Sequence, residues 1–179
     1  MALGQLRDGY ARLGQWLSTG LEDVTLLGLR LLAARVFYDS GIGKWNGWFD
    51  FDEQKYDLFL YEYFCPDPVR EGALLLCDPQ ALDYAEGSAV VSTIESLAVL
   101  AGVMEVLLPA LLVFGLVTRF GAFGLLGMTL FIQLAVFPTW DHWWNPAAWW
   151  AAVLLILMVR GPGRLSVDRL LGLEGRSSR

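Results

Sequence analysis

Ionisable and amide side chains inside long apolar runs are the residues of this chain with the clearest chemical potential. Glu105 lies in the run from Met104 to Met128. Arg30, Arg35 and Asp39 lie between Val24 and Gly43, and Gln133 between Phe120 and Phe137. A helix rises 1.5 Å per residue, which puts Arg35 at about 16 Å and Glu105 at about 18 Å from the inner ends of their segments. Gln133 and Asp39 fall at about 21 and 22 Å, so four polar groups from three segments reach similar depths. Each charge at mid-bilayer costs ~2.5–3.5 kcal/mol on insertion scales, so pairing inside a bundle is expected. Arg35 and Asp39 share a helix face, and matched depth makes Arg35 the expected partner of Glu105. Two readings stand: a buried polar site for a quinone headgroup or a proton, or an interhelical salt bridge that fixes packing. Arg30, about 9 Å from the inner edge, either snorkels to the interface or meets a partner or ligand.

A second group is expected near the outer face. His142, beside Asp141 among tryptophans, is the chain's one histidine. It stands either at a quinone or proton entrance or in an interfacial aromatic belt. A single histidine rules out a bis-histidine haem within the chain, and no zinc-ligand spacing or other metal motif is present. Glu95 and Lys44 both fall near the outer edge, where an ion pair would be energetically minor. Cys65 and Cys77 are twelve apart. Their spacing is not that of a redox C-x-x-C pair, and in an oxidising compartment a structural disulfide is the expected reading.

The elements that must position these groups follow from composition. The chain has 179 residues, 55% of them hydrophobic, 18% charged, and eight tryptophans. These values fit one membrane-embedded domain. The expected fold is an all-α integral membrane four-helix bundle with spans at about 24–43, 88–117, 120–137 and 143–160. Residues 1–22 read as an interfacial amphipathic helix, from Leu3, Leu6, Tyr10, Leu13 and Leu17 at spacings of 3 or 4. No cleavable leader is expected. The membrane domain covers 23–163, and a basic cytoplasmic tail 164–179. The outer loop, 44–87, holds ten acidic and three basic residues. A structureless loop of that length would be unusual, so it is expected to be partly structured, with a helix from Glu53 to Tyr63. Asn145-Pro146 suits a helix start and Gly161-Pro162-Gly163 a stop.

Eight of thirteen basic residues lie in the N-terminal segment, the Arg119 turn, the end of the last span at Arg160 and the tail. The positive-inside rule therefore places both termini in the cytoplasm and the acidic loop outside. No basic patch interleaved with aromatics suggests nucleic acid.

Several motifs resemble those of the DoxX family of small bacterial membrane proteins. They are Arg30, Phe37, Ser40, Gly41 and Lys44 in the first span, and Glu105, Leu111, Leu112, Gly115, Leu116, Thr118 and Arg119 in the second. Leu125 to Thr129 and the closing Arg160-Gly161-Pro162-Gly163 with Ser166 and Asp168 continue the likeness. Ala34 stands where the family usually has glycine, and Arg35 is additional. The resemblance implies a four-helix bundle in the bacterial inner membrane. It also implies association with quinone-coupled sulfur oxidation, terminal oxidases or oxidative-stress complexes.

Two function classes follow. One is a membrane subunit of a quinone-linked or oxidative-stress-related oxidoreductase complex, not catalytic alone, whose partner holds the redox centre. The other is a non-catalytic anchor or assembly factor that docks another membrane or periplasmic protein through the acidic, aromatic outer loop. Solute transport is disfavoured by the small number of spans and the lack of a broken-helix pair.

Overall fold

The computed structural model describes residues 2–78, 84–85 and 87–174. The chain is mostly helical. Helix α1 (Ala2–Gly20) leads into α2 (Glu22–Ile42), and α3 (Glu53–Asp57) continues as wider π turns over Leu58–Phe64. Next come α4 (Ala89–Phe114) and α5 (Thr118–Phe131), the latter extended by π turns over Ile132–Val136. A short α6 (Trp140–His142) and the stretch Trp143–Ala147, broken by an extended Asn145 (φ −147°, ψ 99°), precede α7 (Ala148–Arg160), and α8 (Val167–Leu170) follows. Two helices are long and apolar enough to cross a membrane, Ala89–Phe114 and Thr118–Val136. Helix α2 carries five charged residues, and α7 alone is 13 residues long.

Local chemistry sets the ends of α4. The Ser88 hydroxyl accepts from the Val91 amide at 3.4 Å, capping the first turn. At the other end Gly115 adopts φ +64°, the left-handed conformation that glycine enters without a Cβ penalty. Pro109 lies inside the helix and has no N–H to offer the carbonyl four residues back, that of Glu105. Gly41 of α2 packs against that same turn. A Cβ there would sit 2.8 Å from the Glu105 backbone, so only glycine lets the two helices meet at this point.

The main core joins Ala33, Ala34 and Phe37 of α2 to Leu108 and Leu112 of α4, Ala122 and Leu125 of α5, and Leu154 and Leu157 of α7. Helix α2 packs on α4 and α7, and α5 packs on α4 and α7. A second core forms where the long loop folds back. Phe51, Phe59, Leu60 and Phe64 close over Ile94 and Ala98 of α4. This loop adds a feature that the all-helical expectation lacked: an antiparallel hairpin of β1 (Trp45–Gly47) and β2 (Asp50–Phe51). Its reason is aromatic. Trp45 meets Phe51 edge-on at 5.2 Å, and both rings press on Gly102 of α4. The expected helix from Glu53 to Tyr63 is present, as α3 and its π extension.

Candidate functional site

The buried polar residues divide between the two ends of the helix assembly. At one end lies Arg30, 1% exposed. Its Nε donates to Leu112 O at 2.7 Å and its Nη2 to Val113 O at 2.8 Å. Its Nη1 donates to Pro162 O at 3.0 Å and Leu165 O at 2.7 Å. The first two acceptors belong to the last turn of α4, whose carbonyls have no helical partner. The other two belong to the segment after α7. Asp168 faces the same turn, accepting from Val117 N at 2.6 Å and Thr118 N at 2.9 Å. It thereby caps α5 and holds Val117 at φ 44°, a left-handed conformation costly for a β-branched residue. Arg119 donates to Met158 O and Val159 O, both at 2.8 Å, closing the C-terminus of α7, and pairs with Glu174. The snorkelling alternative for Arg30 is thereby corrected: the guanidinium is enclosed because four carbonyls offer it better partners than water at an interface.

At the other end the chain surrounds a cavity of about 470 Å³. Its walls are mostly apolar: Leu97, Leu100, Ala101 and Met104 of α4, Met128 and Phe131 of α5, and Trp150 of α7. Phe59, Tyr63 and Phe64 of the loop helix and Phe137 complete the enclosure. Four further residues bring polar atoms, Ser40, Lys44, Glu105 and His142. Lys44 and Glu105 form a buried ion pair. The Lys44 Nζ also donates to the Ser40 carbonyl at 3.2 Å and hydroxyl at 3.1 Å. Its three N–H groups are therefore all engaged. Across the cavity His142 Nδ1 lies 2.6 Å from Gln133 Oε1, and Gln133 Nε2 donates to Thr139 O at 3.0 Å. Two larger depressions, of about 680 and 620 Å³, lie on the acidic loop around Asp50 to Tyr56 and around Glu95. Neither encloses a buried ionisable group.

The sequence-predicted cluster therefore separates. Arg35 is not the partner of Glu105. It pairs instead with Asp39 at 3.2 Å on the exposed side of α2, where the two side chains are 79% and 57% exposed. The reason is angular. The buried residues of α2 are Leu26, Arg30, Ala33, Ala34, Phe37 and Gly41, recurring every three or four positions. Arg35 and Asp39 lie off that face, which depth alone does not reveal. The expected Lys44–Glu95 pair is also corrected. Lys44 follows the end of α2, turns its chain back along the last turn and reaches Glu105. Glu95 is exposed on the loop side, near Tyr56. Gln133 is buried but serves His142 rather than Glu105. Asp141 is exposed. A disulfide joins Cys65 and Cys77. The strap it closes is pinned beside the cavity by Leu74 N to Ala135 O at 2.7 Å and by Arg70 over the Phe137 ring at 4.5 Å.

Sequence reasoning missed Tyr63 as a cavity residue and Asp168 as a buried cap. Tyr56, Phe59 and Tyr63 recur at helical spacing and mark a face that packs on the bundle, but the cavity they meet and the amides that Asp168 meets lie far along the chain. Tyr63 packs edge-on against Phe59 at 5.0 Å and Phe137 at 5.6 Å. Burial, reinforced by Glu105 and Glu62 against the opposing charge of Arg70, raises its phenol above the usual range, so it stays protonated. His142 stacks on Phe137 at 5.1 Å.

Comparison with known proteins agrees with a membrane reading. The DoxX family model matches residues 69–138, from the strap through α4 and α5. A Haemophilus influenzae protein, described only as uncharacterized, is 30% identical over 159 residues, 83% of each chain. No solved structure matches the chain. This chain belongs to the DoxX family of membrane proteins.

Proposed function

We propose that the chain is a multi-pass protein of a bacterial inner membrane whose cavity holds the headgroup of a lipid quinone. It would act as the membrane subunit of an oxidoreductase complex, with the redox centre on a partner. Four spans, formed by α2, α4, α5 and α6–α7 together, put both termini in the cytoplasm. The acidic loop then stands outside, in agreement with the positive-inside distribution of arginines.

The observation that carries this reading is the pairing of apolar, aromatic walls with a few convergent polar groups. That is the usual composition of a small-molecule site. The residues fit a quinone. Flat rings at Tyr63, Phe137 and Trp150 can sandwich a ring, and the hydroxyls of Ser40 and Tyr63 can meet its oxygens. Bound there, the quinone would supply two-electron redox chemistry. The chain would orient the ring and offer it hydrogen-bond partners at Glu105 and His142.

The test is purification in mild detergent, then quantification of co-purifying quinone by mass spectrometry. Stoichiometric quinone is expected in the parent protein and in Arg35→Ala. It should be lost in Tyr63→Phe and in the double variant Lys44→Met with Glu105→Leu. Quinone absent from the parent, or unchanged in the well-folded double variant, would sink the reading. Cysteine labelling without permeabilisation tests the topology. After reduction, Cys65 and Cys77 should react from the outer side.

A second reading is a non-catalytic anchor that docks a partner. One observation favours it over a bare lipid-facing bundle. The Arg35–Asp39 pair is exposed on α2, and charges facing hydrocarbon are costly enough to call for a covering protein. Stable co-purification of a partner that is lost in Arg35→Leu with Asp39→Leu, with no quinone present, supports this reading instead.

A further inference from the structure

The hydrogen-bonding capacity left open in the cavity has a direction. Lys44 is the strongest donor near it, and its three N–H groups already serve Glu105 and Ser40. Glu105 uses Oε2 for the lysine, and its other oxygen makes no hydrogen bond among the described residues. The second fixed group is His142. Gln133 donates its amide N–H to Thr139 O, so its Oε1 faces the ring. An oxygen there accepts, and Nδ1 must carry the proton. In a neutral imidazole this leaves Nε2 as a lone pair, with no partner among the described residues. The hydroxyls of Ser40 and Tyr63 rotate and serve as donor or acceptor. Apart from the Trp150 indole in the wall, whose N–H only donates, the cavity's polar groups with a fixed role and open capacity, Glu105 and His142, are acceptors.

A quinone carbonyl only accepts, whereas the hydroxyls of the reduced ring donate. We infer that the cavity selects the reduced, hydrogen-donating form, a dihydroxyarene, with Glu105 and His142 Nε2 as its two acceptors. This rests on the quinone reading and sharpens it by naming the redox form that the site prefers. His142 would be a binding residue, and Gln133 a positioning residue acting through it.

Other charges about His142 do not alter its role. Asp141 on its own helix is exposed, and Arg70 lies over Phe137, the ring on which His142 stacks. Lys44 and Glu105, across the cavity, neutralise each other. Protonation of His142 would turn Nε2 into a donor and shift the preference toward the oxidised ring. A histidine ordinarily protonates at about pH 6.5, so that shift belongs to acidic solution.

The test uses the purified full chain in mild detergent under anaerobic conditions. The probes are a short-tailed benzoquinol, its dimethyl ether, the corresponding benzoquinone and a long-chain alcohol. The quinol should bind tighter than ether and quinone by about tenfold or more, the scale of a hydrogen bond to a charged or buried acceptor. The gap should narrow between pH ~7.5 and pH ~5.5, where a histidine titrates. It should collapse in His142→Phe and shrink in Gln133→Leu while quinone binding persists. Quinone binding as tightly as quinol overturns this inference and leaves the quinone site standing. Alcohol binding as tightly as quinol overturns it as well, because the ring is then not recognised. Failure of both ring compounds to bind removes the quinone reading and this inference together.

Discussion

The two ends of the helix assembly use buried charge in opposite ways. At the Arg30 end, guanidinium and carboxylate are bonded to backbone. Arg30 binds four carbonyls, Asp168 two amides and Arg119 two more carbonyls. Six of these eight are orphan groups that a helix terminus leaves behind; Pro162 O and Leu165 O belong to the segment that follows α7. No cavity is needed to explain them. At the Lys44 end the charges are bonded to each other and open onto a cavity of about 470 Å³. Backbone groups at and just beyond helix termini explain the first arrangement; in the second they explain only the Lys44 bond to Ser40 O. A buried charge is therefore a sign of function here only where its bonds leave capacity over.

The comparison breaks most visibly at Arg30. Arg30→Met removes the guanidinium from four carbonyls, of which Leu112 O keeps the Gly115 amide, and each polar group left buried and unsatisfied costs about 1–3 kcal/mol. The sum is a large share of the marginal stability of most domains, about 5–15 kcal/mol, so the variant should accumulate poorly as folded protein. Arg30→Lys should not rescue it, because an ammonium offers three donors on a point where a planar fork spans two segments. Fluorescence-detected size exclusion of a tagged protein reads this directly. A monodisperse Arg30→Lys peak of parental height would show that the carbonyls do not depend on the guanidinium.

At the Lys44 end the largest loss comes from breaking the pair, not from removing it. Lys44→Met alone leaves Glu105 uncompensated and should destabilise by about 3–5 kcal/mol. Adding Glu105→Leu removes the remaining charge, and the double variant should return to within about 1–2 kcal/mol of the parent in detergent melting curves. Recovery of stability without recovery of ligand binding would separate the two ends cleanly. If the double variant is as unstable as the single, the pair is architectural, like Arg30.

How much of this was legible in the sequence depends on the range over which each residue acts. The helices could be read because apolar runs and their stops are local. Ser88, Gly115 and the Gly161-Pro162-Gly163 stop act within a turn or so of their own position. Glu105 could be picked out as a buried charge for the same reason. Its partner could not. Depth along a helix is one coordinate, and pairing also needs the angle around it. The spacing of Ala33, Ala34 and Phe37 already implied that Arg35 points away, had the face been drawn before the depth. The place of Tyr63 in the cavity and the partners of Asp168 were out of reach by any local rule. Tyr63 arrives by a loop folding back, and Asp168 meets amides fifty positions earlier.

A smaller effect belongs to Asp168. Asp168→Asn keeps a side-chain oxygen for one of the two amides but loses the charge that favours a helix N-terminus. The expected loss is about 1–2 kcal/mol, at the upper end for a cap because the group is buried. The strained Val117 turn should loosen with it. Amide exchange at Val117 and Thr118 should therefore rise before the global melting point moves by more than a few degrees. Unchanged protection at both amides would show that the turn is held by Gly115 and Arg30 without Asp168.

The smallest effect tests the rule behind the whole comparison. Thr118 is fully buried at the Arg30 end, and its hydroxyl has no hydrogen-bond partner among the described residues. Its amide, not its hydroxyl, is the group that Asp168 holds. Thr118→Val replaces an unpaired hydroxyl with a methyl of nearly the same shape. An unsatisfied buried polar group costs free energy that such a swap recovers, so the variant should match the parent or gain up to about 1 kcal/mol. Most buried threonines lose stability on this change because a bond is broken. Thr129 makes the control, since its hydroxyl donates to Leu125 O at 2.9 Å. Thr129→Val should cost about 0.5–1.5 kcal/mol in the same melting assay. If Thr118→Val falls as far as Thr129→Val, the Thr118 hydroxyl has a partner after all, and the backbone bonds at this end do not account for every buried polar group.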